Sequence, residues 1–189
     1  MSVKFDIATD MDDVIVNISE PWIKKILADK GLCDRMSKDF VENACSAHPA
    51  NRPAYPILSH FSSNHSQEFN EEMSNLLHDL YFKDGNFYDE LLPSQYYHYL
   101  CTMRDYGVLR SVSIVSSCVE LAYPVTASKI RYLNKLFDSF RAQGIIVRFI
   151  FTEKKETKAQ AINGSNVEYG TFVDDAIFNI VDVVQNTPS

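Results

Sequence analysis

Three carboxylates crowd the end of the first apolar run of this chain. Phe5-Asp6-Ile7-Ala8-Thr9 leads into Asp10-Met11-Asp12-Asp13-Val14-Ile15-Val16-Asn17, so two aspartates stand at i and i+2 with a third beside them. Packing gives no reason for this arrangement, because clustered carboxylates repel one another unless a cation sits between them. Oxygen-rich clusters of this kind suit Mg²⁺. The spacing also divides labour: one carboxylate can attack phosphorus while the other handles a proton. A second acidic pair, Asp174-Asp175, closes the apolar run Thr171-Phe172-Val173 and poses the same electrostatic problem.

The elements that would carry these residues are legible as short apolar or alternating runs. Strands are predicted at about 4–9, 111–115, 145–151 and 171–174, with a further short one at 179–184. Between them lie helical patterns. The segment 125–143 places Ile130, Leu133, Phe137 and Phe140 on one face and meets Gly144 as a stop. Ser94 reads as the N-cap of a helix running to about Tyr106, again followed by a glycine, Gly107. Strands alternating with helices from residue 94 onward imply an α/β protein with a mostly parallel sheet and helices on its faces. Ligands of such sheets sit at the carboxyl ends of the strands, where Asp10 falls.

The residues between the first strand and Ser94 do not alternate in this way. Trp22, Ile23, Ile26 and Leu27 have helical spacing, as do Phe69, Met73, Leu76, Leu77 and Leu80, while 47–56 holds three prolines and reads as a loop. Residues 18–85 are therefore taken as a mainly helical insertion, and 1–17 with 86–189 as the core domain. An insertion that leaves and rejoins the sheet beside Asp10 can act as a lid.

Composition narrows the ligand. The 189 residues carry a formal net charge of −7, which disfavours a nucleic-acid polymer because such binding needs a basic surface. A small anionic ligand remains open, since a metal and one or two lysines can make a locally positive pocket. No run approaches the roughly 20 apolar residues of a membrane span, and no basic-then-apolar targeting segment opens the chain. Cys33, Cys45, Cys101 and Cys118 show no paired spacing and read as reduced, mostly buried thiols of a cytoplasmic protein. His48, His60, His65, His78 and His98 are scattered in the same way and do not suggest a metal site.

The string Asp10-x-Asp12-x-Val14 resembles the first motif of the haloacid dehalogenase (HAD) superfamily, and Asp-Met-Asp-x-Val-Ile is similar to its 5'(3')-deoxyribonucleotidase branch. The later motifs occur in order over nearly the whole chain. Ser116 follows the apolar strand as the hydroxyl residue, with Ser117 beside it. Lys158 opens a helical run after the strand at 145–151, with Lys155 as the alternative. Asp174-Asp175, a short spacer and Asn179-Ile180 match the acidic motif. The segment Asp84-Gly85-Asn86-Phe87-Tyr88 to Pro93 resembles the nucleotidase stretch leading out of the insertion, although Ser94 stands where a glycine is usual.

The resemblance implies a Rossmannoid sheet with helices on both faces and a small helical cap of the C1 type. It implies Asp10 as nucleophile and Asp12 as general acid and base. Ser116 and Lys158 would hold phosphoryl oxygens. Mg²⁺ would be bound by Asp10, the Asp12 carbonyl and Asp175, with Asp174 in support. Phe87, Tyr88 and Trp22 are candidates for stacking on a base, with Ser117 as a further substrate contact. Asp13 reads as a turn residue or a helper. The expected activity is a Mg²⁺-dependent 5'-nucleotidase acting on a nucleoside monophosphate. The alternatives are a phosphatase for another small phosphate ester, such as a sugar phosphate, or a non-catalytic binding protein; a homodimer stays open.

Overall fold

The computed structural model describes residues 4–45, 66–117, 123–152, 156–167 and 169–187. The proline-rich segment 47–56, Lys155, Cys118, His48, His60 and His65 lie outside the described residues. In chain order the elements are β1 (Phe5–Thr9), α1 (Ser19–Ala28), α2 (Lys30–Cys33), α3 (Lys38–Ala44), α4 (Gln67–Phe82) and α5 (Gln95–Asp105). There follow β2 (Leu109–Ser117), α6 (Pro124–Ala142), β3 (Ile146–Thr152), α7 (Lys158–Gly164), β4 (Thr171–Val173) and α8 (Ile177–Asn186). They form two units: Met1–Ile18 with Gly85–Ser189, and Ser19–Asp84.

The first unit is an α/β structure on a four-stranded parallel sheet in the order β3-β2-β1-β4. The central strand β2 is buried from Ser111 to Ser116, which explains its nearly unbroken run of small and apolar residues. Adjacent strand residues point to opposite faces, and β3 shows what lies on each. Ile150 packs with Ala8, Val115, Ala159, Ala161, Ile162 and Val183, the seam that joins the sheet to α7 and α8. Its neighbour Phe149 meets Phe137 of α6 from the other side, with ring centroids 6.4 Å apart. Helices therefore cover both faces.

Local chemistry sets the helix ends. Ser94 caps α5 by accepting from Tyr97 N at 3.3 Å, and Gly107 and Gly144 end α5 and α6 at φ of 66° and 77°, where other side chains are strained. On α6 the buried stripe runs through Thr126, Lys129, Leu133, Phe137 and Phe140; Ile130, expected on that face, is only half-buried.

One expected element changes type: 179–184 is not a strand but part of α8. Its Ile and Val residues favour a strand on propensity, but tertiary contacts decide. The Asp174 Oδ1 accepts from Ala176 N at 2.8 Å and from Asn179 Nδ2 at 3.0 Å, winding the chain into a first turn directly after β4. Val183 then inserts into the seam under the sheet.

The second unit has its own core of Ile23, Ile26, Leu32, Met36, Phe40, Met73 and Leu77. Ser37 and Ser66 cap α3 and α4, and Arg35 grips Glu72 with two hydrogen bonds of 2.8 and 3.0 Å. The expectation of mostly buried thiols is corrected: Cys45 is exposed and Cys33 and Cys101 are half-buried, all three free. They lie on element ends and helix flanks, so burial is not what holds them. Among the described residues no helix is long and apolar enough to cross a membrane.

Phe137 is fully buried and joins α6 to α5 and β3. Phe137→Ala is expected to lower unfolding free energy by about 3–5 kcal/mol, read as a reduced denaturant midpoint with an unchanged slope.

Candidate functional site

The chain runs β1 to β2 to β3 in one direction across the sheet, then returns to place β4 on the far side of β1. The carboxyl end of β1 is thus the topological switch point, where a parallel sheet opens a crevice. Thr9 is level with Ile114 of β2 and with Val173 of β4, and Asp10 N donates to Val173 O at 2.8 Å. This register sets Asp10 beside Asp174.

A tight turn follows Asp10. The Met11 carbonyl accepts from Ile15 N at 2.8 Å and from Val16 N at 3.1 Å, and Asp13 adopts φ of 55° with its N–H on Val16 O at 2.7 Å. The Asp13 carboxylate accepts from Ile18 N at 2.9 Å, a turn role, which is one of its two sequence readings. Ser94 fastens the turn to the start of α5: its N–H donates to Ile15 O at 2.8 Å and its hydroxyl to Val14 O. Asp10 is buried with Oδ1 on Met11 N at 2.7 Å, while Asp12 is half-buried.

Lys158 arrives from the turn after β3. Thr157 forms a capping box with Gln160, so Lys158 is the first residue of α7 and projects from a fixed backbone. Its ammonium lies 2.8 Å from Asp10 Oδ2 and 2.6 Å from Asp174 Oδ2, and its side chain is 5% exposed. Asp174, just after β4, accepts three hydrogen bonds: Oδ2 takes Lys158, and Oδ1 takes Ala176 N and Asn179 Nδ2. Asp174 thereby holds the lysine.

Ser116 is fully buried at the end of β2, and Ser117 beside it is exposed. Lys158 is engaged with Asp10 and Asp174 and makes no bond to Ser116 or Asp12. The cation here is Lys129 of α6, whose Nζ lies 2.6 Å from Asp12 Oδ2, 2.8 Å from Ser116 Oγ and 3.3 Å from the Ser117 carbonyl. Tyr88 donates its hydroxyl to the other Asp12 oxygen at 2.8 Å.

The acidic groups suit a hard cation. Asp10, Asp174 and Asp175 can each present a carboxylate oxygen within 4.8 Å of the others. Burial pushes the Asp10 carboxyl up to about 7, with Asp12 and Asp174 adding to the rise and Lys158 opposing it. Asp175 is also raised, first by partial desolvation although its side chain is exposed, then by Asp174 and Asp13. Asp10, Asp12, Asp174 and Asp175 bring four carboxylates against the two ammonium groups of Lys129 and Lys158. A divalent cation on oxygen ligands would offset the remaining two charges.

Two sequence expectations need correction. Phe87 and Tyr88 are buried, 3% and 0% exposed, and pack edge to face against one another. Tyr88 also meets Tyr132. A ring enclosed in this way offers no face for a base, and Tyr88 serves Asp12 instead. Trp22 belongs to the helical unit, half-buried against Tyr81 with centroids 5.4 Å apart. Lys129 was missed, yet it left a signal: it stands four residues before Leu133 and eight before Phe137, a charge on the apolar stripe of an amphipathic helix. Compared with known proteins, the chain matches no protein-family model and no curated protein.

The raised Asp10 carboxyl has a consequence for stability. Between about pH 4 and about 7 the unfolded chain releases this proton before the folded one does, so the metal-free fold loses stability as pH rises through that window. Asp10→Asn is expected to raise the thermal midpoint in EDTA at pH 8, with the gain shrinking toward pH 4. A gain that is the same at both pH values would show that Lys158 already compensates the buried charge.

Proposed function

We propose that this chain is a Mg²⁺-dependent phosphomonoester hydrolase with a HAD-type core, in which the helical unit serves as a C1 cap and a nucleoside monophosphate is the substrate. One observation carries the chemistry: Lys158 lies between Asp10 and Asp174 at a switch point where Asp10, Asp174 and Asp175 can present carboxylate oxygens within 4.8 Å of one another. A nucleophilic carboxylate, a buried cation and spare acidic ligands from three strand ends are the parts that phosphoryl transfer needs.

In the proposed reaction an Asp10 oxygen attacks phosphorus in line, and the bond from phosphorus to the leaving oxygen breaks as the aspartyl-phosphate forms. Asp12 gives its proton to that oxygen. It then takes a proton from the water that attacks phosphorus and breaks the link to Asp10, releasing phosphate. Lys158 and the Ser116 hydroxyl hold phosphoryl oxygens, an electrostatic role that is strongest in a buried site. Bound by Asp10, the Asp12 carbonyl and Asp175, with Asp174 in support, Mg²⁺ would supply charge compensation on the phosphoryl group.

The nucleotide assignment rests on the resemblance of the motifs. The enclosure of Phe87 and Tyr88 removes two of the three aromatics assigned to a base and so favours, as the second reading, a phosphatase for a smaller ester such as a sugar phosphate.

Phosphate release from ribo- and deoxyribonucleoside monophosphates and sugar phosphates, with Mg²⁺ and with EDTA, tests both. Metal-dependent release favouring nucleotides, reduced at least about a thousandfold in Asp10→Asn, is expected. Release from sugar phosphates alone would move the substrate to the second reading. No release from any ester would favour a binding role.

A further inference from the structure

Lys129 is the buried cation that the reaction described above does not use. A lysine with a side chain 4% exposed is costly to keep charged unless its three donors are satisfied. Here they are: Asp12 Oδ2, Ser116 Oγ and the Ser117 carbonyl accept them, and the ring of Tyr88 lies 5.4 Å from the ammonium. These four partners come from three segments, the turn after β1, the end of β2 and the stretch before α5. The ammonium is the point at which they are tied together.

The effect falls on Asp12. One of its oxygens is held by Lys129 and the other by the Tyr88 hydroxyl, so the carboxyl plane cannot turn. The Tyr88 ring is enclosed between Phe87 and Tyr132, and its backbone N–H donates to Ser128 Oγ at 2.9 Å, one residue before Lys129 on α6. A carboxyl group has about four lone-pair positions, so two donors still leave room for the proton that the reaction moves.

We propose that Lys129 is a positioning residue which, with Tyr88, clamps the Asp12 carboxyl in the orientation needed to protonate the leaving oxygen. This rests on the phosphatase reading. Tyr88 reaches the reaction through Asp12, so loss of its hydroxyl lowers kcat with little change in KM, whereas loss of Lys129 also releases Ser116 Oγ. Loss of the clamp also matters in proportion to how badly the leaving group needs a proton. A ribose alkoxide needs one; p-nitrophenolate leaves without one.

The test is single-turnover release of the leaving group by wild type, Lys129→Met and Tyr88→Phe, each checked for an intact fold by circular dichroism, using a nucleoside monophosphate and p-nitrophenyl phosphate. Following the first turnover isolates formation of the aspartyl-phosphate from the later hydrolysis, in which Asp12 also takes part. Nucleoside release is expected to fall about a hundredfold in Lys129→Met and less in Tyr88→Phe, with p-nitrophenol release within about fivefold of wild type. Tyr88→Phe deletes one hydroxyl from a core residue and keeps the test valid if Lys129→Met does not fold. Equal losses on both substrates, or no loss on either, would overturn the clamp while leaving the phosphatase reading intact. A wild-type protein that releases neither leaving group would overturn that reading and the clamp with it.

Discussion

Two buried carboxylates and one buried ammonium share a space of a few ångströms at the end of β1, and the rest of the core domain is organised around keeping them there. Lys158 is stabilised only because Asp10 and Asp174 both accept from it. Each aspartate is in turn tolerable only because the lysine is present, since an isolated charge at that depth costs several kcal/mol. Removing Lys158 leaves two buried carboxylates uncompensated, whereas removing Asp10 leaves the matched Lys158–Asp174 pair. The raised Asp10 carboxyl is the mark of this imbalance: burial and the neighbouring carboxylates exceed what one ammonium can offset.

The positions of these groups are consequences of topology. A parallel sheet with β1 between β2 and β4 brings three strand ends to one edge, and register makes Asp10 and Asp174 neighbours although 164 positions separate them in sequence. The capping box of α7 then sets the root of Lys158, and the hydrogen bonds from Ala176 and Asn179 to Asp174 start α8. Helix termini here do two things at once: they satisfy backbone donors, and they orient side chains that carry charge.

The site has two sides with different electrostatic character. Asp10 and Asp174 share Lys158, and with Asp175 they form a cluster of carboxylates that could hold a metal ion. Asp12 and Ser116 are matched by Lys129 and Tyr88. In the proposed reaction the first side handles phosphorus and the metal and the second handles the proton. The separation follows from which helix backs each strand end, α7 on one face and α6 on the other.

What the sequence determined by itself was local. The acidic turns after two strands, the serine N-cap and glycine stops of α5 and α6, and the helical spacing of 19–28 and 67–82 depend on neighbouring residues, and their signals lie within one or two turns of chain. What only the tertiary structure decided was long-range. An Ile- and Val-rich segment became α8 because Asp174 and the seam under the sheet outweighed strand propensity. Phe87 and Tyr88, aromatic enough to suggest a stacking surface, went into the core, and Tyr88 became a hydrogen-bond donor to a residue 76 positions away. In sequence Lys129 is one charge on a long helix; folding places Asp12 and Ser116 opposite it. A buried charge is defined by its partners, and those partners are distant in sequence, so its role is settled only when the chain has closed around it.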